Sequence, residues 1–120
     1  MPEEPPIIPA IPPRQENVAI AGLMDSARID AAAGNLTGAA ASLERALRIE
    51  PRNPRLWHAL ARVRLKQGQY AQAENVAARS NSWAAGDHAL RVENWRLIAQ
   101  AREARGDTEG AKAALEAALR

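Results

Sequence analysis

From Glu16 to the end of the chain, apolar positions recur every three or four residues, and polar positions lie between them. This period is that of an α-helix with one buried face, and Gly or Pro residues separate the successive runs. The pattern predicts six helices, over residues 16–33, 36–50, 54–67, 70–80, 88–105 and 108–120.

Residues at the predicted helix ends support these boundaries. Gly34, Gly68 and Gly106 follow the first, third and fifth helices, where a residue of left-handed conformation commonly ends a helix. A side chain that can accept a hydrogen bond from the first turn precedes three of the helices. These candidate N-caps are Asn53, Asp87 and Asp107.

The pattern occurs three times along the chain. Gly34 and Gly68 are 34 residues apart, and Gly68 and Gly106 are 38 residues apart. We therefore divide the helical part, residues 16–120, into repeats of about 20–53, 54–91 and 92–120. The four additional residues are expected in a loop after Arg79, and this loop would contain Trp83.

The repeats resemble the tetratricopeptide repeat, a helix–turn–helix unit. The resemblance covers residues 20–120 and rests on Trp-x2-Leu-Ala, then Gly, then Ala-x3-Leu-x2-Ala, then Pro. It implies an all-α solenoid of three units and six helices, in which the first helix of each unit lines a concave face that binds a protein partner. We expect Trp57 and Trp95 to be buried in the cores of their repeats.

The chain departs from the family pattern near the end of each first helix. The family often has an aromatic residue there, whereas this chain has Asp30, Arg64 and Arg102. Either this position faces solvent, or Asp30 and Arg64 form an ion pair between the first two repeats.

Residues 1–15 have a different character. They contain six of the eight prolines, which prevent both helix and sheet interiors and favour an extended Pro-rich linker. Ile7, Ile8 and Ile11 leave two interpretations open, since the segment either tethers the domain or docks on it or on a partner.

The composition excludes most chemistry. The chain has no Cys and only two His, His58 and His88, so it offers no thiol nucleophile and no cluster of metal ligands. No Ser lies in a nucleophile-elbow sequence, and no Gly-rich loop could cradle a phosphate. We therefore predict a protein that is not an enzyme, with no catalytic residue, cofactor or metal site. The net charge of only +2 and the presence of only four aromatic residues also argue against nucleic-acid binding.

Basic residues are concentrated on the predicted concave face. Residues 54–91 hold six basic and two acidic side chains. Two interpretations compete, a solvated basic helix and a groove for an acidic or carboxylate-bearing peptide. The candidate partner-binding residues are Arg28, Arg55, His58, Arg62, Lys66, Trp83 and Arg96. The candidate apolar anchors are Met24, Leu65 and Trp83.

Members of the family that bind chaperones hold a carboxylate with Lys and Asn at fixed positions. This chain has Glu93 and Leu97 at two of those positions, and neither side chain holds a carboxylate. A chaperone co-factor is therefore not expected.

A Pro-rich spacer before three repeats, with NWRLIAQAREARGD at the last repeat, is also similar to small proteobacterial envelope lipoproteins. In particular, it resembles the pseudomonad outer-membrane lipoproteins that activate a bifunctional penicillin-binding protein, a peptidoglycan synthase. This resemblance implies a periplasmic domain that contacts the synthase and is anchored to the outer membrane by a lipidated Cys upstream of Met1. The alternative is a general scaffold, cytoplasmic or in the envelope, that binds an acidic peptide segment in assembly or secretion.

Overall fold

The computed structural model describes residues 17–120, and the predicted linker over residues 1–15 lies outside this range. Residues 17–120 form six helices and no strand, which confirms the all-α class. The helices are α1 Val18–Ala32, α2 Leu36–Ile49, α3 Pro54–Lys66, α4 Tyr70–Trp83, α5 His88–Ala104 and α6 Thr108–Ala118.

Apart from the end of α4, the helix ends lie within two residues of those that the sequence predicts. Each of the three predicted glycines has a positive φ, between 78° and 86°, which places it in the left-handed region at a helix end. Asn53, Asp87 and Asp107 each accept a hydrogen bond from a backbone N–H in the first turn of the following helix. Asn35 caps α2 in the same way, with its side chain accepting from the N–H of Gly38.

The helices pack as three antiparallel pairs, α1 with α2, α3 with α4, and α5 with α6. Successive pairs stack through α2 on α3 and α4 on α5, and α3 also contacts α5. The first helices α1, α3 and α5 therefore follow one another along one side, as in a tetratricopeptide solenoid.

Small side chains allow the helices to approach closely. Ala39, Ala46, Ala61, Ala73 and Ala77 have no solvent exposure. Larger residues fill the space between them in two clusters, one joining the first and second repeats and the other joining the second and third. The core is thus spread along the stack.

The tryptophans differ from the prediction, since Trp57 and Trp95 are only partly buried. They pack against the two core clusters from the side. The indole N–H of Trp57 donates to the carbonyl of Pro51 at 2.7 Å, and the guanidinium of Arg79 lies 4.9 Å from the centre of its ring. An indole placed at a helix end keeps its polar edge within reach of backbone, which leaves part of the ring accessible.

The predicted insertion loop is also wrong. Helix α4 continues to Trp83, so it has 14 residues and the same length as α2. The loop after it, residues 84–87, is as short as the loop 50–53 between α2 and α3. The four additional residues instead lengthen α5, which has 17 residues where α3 has 13. Four residues complete about one helical turn, so the insertion hardly changes the face that α5 presents.

The proposed pair of Asp30 and Arg64 does not form. Arg64 instead contacts Glu44 of α2, with 2.7 Å between the guanidinium and carboxylate. At the equivalent position of the third repeat, Arg102 contacts Glu74 of α4 at 2.7 Å. Each arginine reaches the second helix of the preceding repeat because the end of a first helix lies beside that helix in the stack.

Candidate functional site

Two adjoining depressions form a groove along the first helices. The depression nearer the N-terminus has a volume of about 480 Å³, and the other has a volume of about 550 Å³. His58, Arg62 and Glu93 line both, so the two meet at the middle of the groove. We call them the N-terminal half and the C-terminal half of the groove.

The structure brings together six of the seven predicted partner-binding residues. The N-terminal half contains Arg28, Arg55, His58, Arg62 and Lys66. Arg96 lies in the C-terminal half, beside His58 and Arg62.

Trp83 lies outside both halves of the groove. It is the last residue of α4, its side chain is 41% exposed, and the guanidinium of Arg52 lies 5.2 Å from its ring centre. Leu65, a predicted anchor, packs against the core cluster between the second and third repeats. Neither residue contributes to the surface on which the six others lie.

The basic residues of the groove differ in how far their charge is already compensated. Arg28 pairs with Asp25, and the guanidinium of Arg55 lies 3.5 Å from the carboxylate of Asp87. By contrast, Arg62, Lys66 and Arg96 form no ion pair with any residue between 17 and 120. All three are exposed, so the groove presents three cations whose hydrogen-bond donors are available to a bound molecule.

Met24, a predicted anchor, lines the N-terminal half, but sequence reasoning missed the rest of the apolar floor of the groove. Leu90 lines the N-terminal half, and Leu97 and Leu115 line the C-terminal half. Leu90 belongs to the additional turn of α5, within the helix that the sequence predicts from residue 88. Leu90 and Leu97 are almost fully buried, whereas Leu115 is 49% exposed. Leu115 therefore offers apolar surface beside charged groups, a combination that partner-binding surfaces commonly have.

Acidic side chains limit the basic character to part of the groove. Glu93 lines both halves, and Glu103 lines the C-terminal half. The N-terminal half has four Arg and Lys side chains, and Glu93 is the one carboxylate among the residues of 17–120 that line it. The positive charge is therefore greatest between α1 and α3.

A buried polar network lies behind the middle of the groove. Asn94 and Ser80 have no solvent exposure. Nδ1 of His58 lies 2.7 Å from Oδ1 of Asn94, and Nδ2 of Asn94 donates to Ser80 at 2.7 Å and to Asn81 at 2.9 Å. Within the described part of the chain, no buried side-chain nitrogen or oxygen lacks a hydrogen-bond partner.

A signal for this network was present in the repeats. Asn94 lies twelve residues before Gly106, and the residue twelve before Gly68 is Leu56, a core residue with no exposure. A polar residue at a core position of the repeat indicates a buried polar contact. Asn94 was overlooked because an Asn within an Arg- and Glu-rich helix is typical of an exposed face.

The part of the chain that the structure describes contains no group of three acidic, His or Cys residues arranged to hold a metal ion. Among helices α1 to α6, none is both long and apolar enough to cross a lipid bilayer.

Comparison with known proteins agrees with this architecture. The sequence pattern of the tetratricopeptide repeat matches residues 30–92. The globular C-terminal domain of P. aeruginosa LpoP is 47% identical to this chain and superimposes with a TM-score of 0.85, over 87% of this chain and 98% of that one. Both the predicted repeat family and the predicted pseudomonad resemblance are thereby confirmed.

A more distant structure has the same fold. The N-terminal domain of stress-induced protein-1 from C. elegans superimposes with a TM-score of 0.77, over 86% of each chain, at 14% sequence identity. Identity at this level shows a shared fold alone. No curated protein matches the sequence.

Proposed function

We propose that this chain, which belongs to the tetratricopeptide repeat family, is the partner-binding domain of an outer-membrane lipoprotein that activates a bifunctional penicillin-binding protein. It acts by binding and has no chemistry of its own. It works in the periplasm, and a lipidated Cys upstream of Met1 anchors it to the membrane. The 47% identity to LpoP of P. aeruginosa, over nearly the whole of that domain, supports this proposal most strongly.

We further propose that the groove along α1, α3 and α5 is the contact surface. The observation that carries this proposal is the set of three cations, Arg62, Lys66 and Arg96, which have no acidic partner within residues 17–120. Arginine forks favour carboxylates, and the positive charge would increase the association rate and orient an acidic segment of the synthase. Leu115, which is 49% exposed, and the partly buried Met24 would supply the desolvated contact.

The test measures binding and activation together. The whole chain is added to the purified, detergent-solubilised bifunctional penicillin-binding protein from the same organism. We expect it to bind and to raise the rate of glycan polymerisation on the lipid-linked disaccharide substrate. An unchanged rate with no binding would contradict the proposed function.

Charge reversal tests the groove. The variant Arg62→Glu, Lys66→Glu, Arg96→Glu should bind the synthase about tenfold more weakly or worse, because carboxylates would face an acidic partner segment.

The matched control reverses two arginines and one lysine outside the groove, in Arg45→Glu, Arg48→Glu, Lys112→Glu. These three are also exposed and form no ion pair within the described range. It should bind like the wild type. Equal weakening by both triple variants would show a general charge effect and would remove the groove from the proposal.

The three cations also favour a second candidate function, an adaptor for an acidic peptide segment of another protein. The same experiment separates the two functions. An adaptor would leave the polymerisation rate unchanged, yet it would still bind an acidic peptide in a way that the groove reversal abolishes.

A further inference from the structure

In each hydrogen bond of the buried network, the donor and the acceptor can be assigned, starting from a backbone carbonyl. Oγ of Ser80 lies 2.8 Å from the carbonyl oxygen of Pro54, and that oxygen can only accept. The single hydroxyl proton of Ser80 is therefore donated to Pro54. Oγ of Ser80 must then accept from Asn94, so the atom of Asn94 that faces Ser80 is its NH₂ group.

The same assignment extends to His58. Because the NH₂ group of Asn94 faces Ser80 and Asn81, its carbonyl oxygen faces Nδ1 of His58 at 2.7 Å. An amide oxygen has no proton to give, so Nδ1 must carry one. In a neutral imidazole the proton on one nitrogen leaves the other with a free lone pair. In the neutral form of His58, Nε2 is thus a hydrogen-bond acceptor.

We infer that Asn94 is a positioning residue, which holds His58 in the Nδ1–H form so that Nε2 offers an acceptor to the middle of the groove. His58 lines both halves of the groove, and its side chain is 14% exposed. Nε2 lies 3.5 Å from Oε1 of Glu93, whose side chain is 61% exposed. With neutral imidazole, these two facing atoms are both acceptors and have no proton between them.

This arrangement selects the chemistry of the bound group, and here the inference rests on the proposed groove function. The partner must bring a hydrogen-bond donor to Nε2 and Glu93. Arg62 and Arg96 line the same depression and would repel a cationic group of the partner. The group that fits is an uncharged donor, a backbone N–H, an amide or a hydroxyl, within a segment whose acidic residues meet the arginines.

The other repeats indicate that the fold does not require this network. At the positions of Asn94 and Ser80, the second and first repeats have Leu56 and Ala46, which also have no solvent exposure. Replacement of both hydrogen-bond partners by apolar groups of similar shape can leave stability nearly unchanged. The double variant Asn94→Leu, Ser80→Ala therefore removes the network, and each new residue is the one found at the equivalent position of the preceding repeat.

The first measurement is the protonation of each imidazole nitrogen, from ¹⁵N spectra of histidine side chains at mildly alkaline pH. In the wild type, Nδ1 of His58 should have the protonated signature and Nε2 the unprotonated one. His88 is exposed, makes no side-chain hydrogen bond within residues 17–120, and serves as the internal control. In the double variant, His58 should become similar to His88. If His58 has its proton on Nε2 in the wild type, the inference is overturned.

The second measurement is the affinity for the solubilised synthase. The double variant should bind about threefold to tenfold more weakly than the wild type, which corresponds to one hydrogen bond. Ser80→Ala alone, which is less disruptive, should shift both the spectrum and the affinity in the same direction. If the protonation of His58 changes while the affinity does not, the selective role is overturned. If the wild type itself fails to bind, the proposed function fails, while the spectrum still decides the role of Asn94.

Discussion

The carboxylate of Glu74 in α4 accepts a hydrogen bond from Nε of Arg102 in α5 at 2.9 Å. Both side chains are largely buried, with 19% and 25% exposure, and Arg105 contacts the second carboxylate oxygen at 2.6 Å. We expect Glu74→Gln to lower the free energy of unfolding by about 1–3 kcal/mol, because hydrogen bonds to charged groups are lost at a partly buried site. Chemical denaturation of the purified chain measures this.

The matched control for Glu74 is Asp25→Asn. Asp25 pairs with Arg28 at 2.5 Å, but the two side chains are 61% and 71% exposed. Its loss should change the free energy of unfolding by less than about 0.5 kcal/mol, because water screens an exposed pair. Equal effects of the two substitutions would show that Glu74 has no special structural role.

Replacement of two glycines by Ala should change the free energy of unfolding in opposite directions. Gly22 lies inside α1, and a Cβ there would meet no atom within 4 Å, so Gly22→Ala should raise the free energy of unfolding by about 0.5–1 kcal/mol. Gly68 is equally open but has φ of 78°, so Gly68→Ala should lower it by about 1–2 kcal/mol. Thermal denaturation of both variants tests this pair, and a stabilising Gly68→Ala would contradict the left-handed helix end.

Trp57 and Trp83 should contribute differently to stability. Trp57 is partly buried, hydrogen-bonded to Pro51 and covered by Arg79, so Trp57→Ala should cost about 2 kcal/mol. Trp83 is more exposed, and its contact with Arg52 is worth at most about 1 kcal/mol. Denaturation curves should therefore separate the two variants clearly.

Trp83 also tests where the partner binds. Since it lies outside the groove, Trp83→Ala should weaken synthase binding less than the groove charge reversal does. A larger effect of Trp83→Ala would place the contact at the end of α4.

Binding through Arg62, Lys66 and Arg96, which form no ion pair within residues 17–120, should depend on salt. We expect the wild-type affinity for the synthase to fall as NaCl rises, because ions screen attraction between exposed charges within a Debye length of about 8 Å at physiological ionic strength. The groove reversal should lack this decrease. The comparison requires a titration of affinity at several salt concentrations, and a salt-independent wild type would contradict an electrostatic contact.

Much of the fold could be predicted because local chemistry determines it. Gly68 requires only its own backbone conformation, and Asn53 requires only the N–H group of Arg55 two residues away. The place of the insertion could not be predicted in this way. SNSWAAGDH contains residues typical of loops, but packing between α4 and α5 extends α4 to Trp83, and the four additional residues form a turn of α5.

The groove was predictable where the repeat register alone decides which face a residue occupies. Arg62 and Arg96 follow from that register. Contacts between repeats were not predictable. Arg64 contacts Glu44, twenty positions earlier in the chain, and His58 of α3 contacts Asn94 of α5 in the next repeat. Such pairings depend on how far one repeat rotates on the next, and the sequence does not encode this rotation locally.

Ion pairs between repeats also bear on how the domain unfolds. In a stacked array, stability is a sum of repeat terms and nearest-neighbour terms. Arg64 with Glu44 strengthens the first junction, and Arg102 with Glu74 strengthens the second. A molecule that has lost either end repeat has lost one junction as well, so partly melted forms are disfavoured. The three repeats should therefore melt in a single cooperative transition.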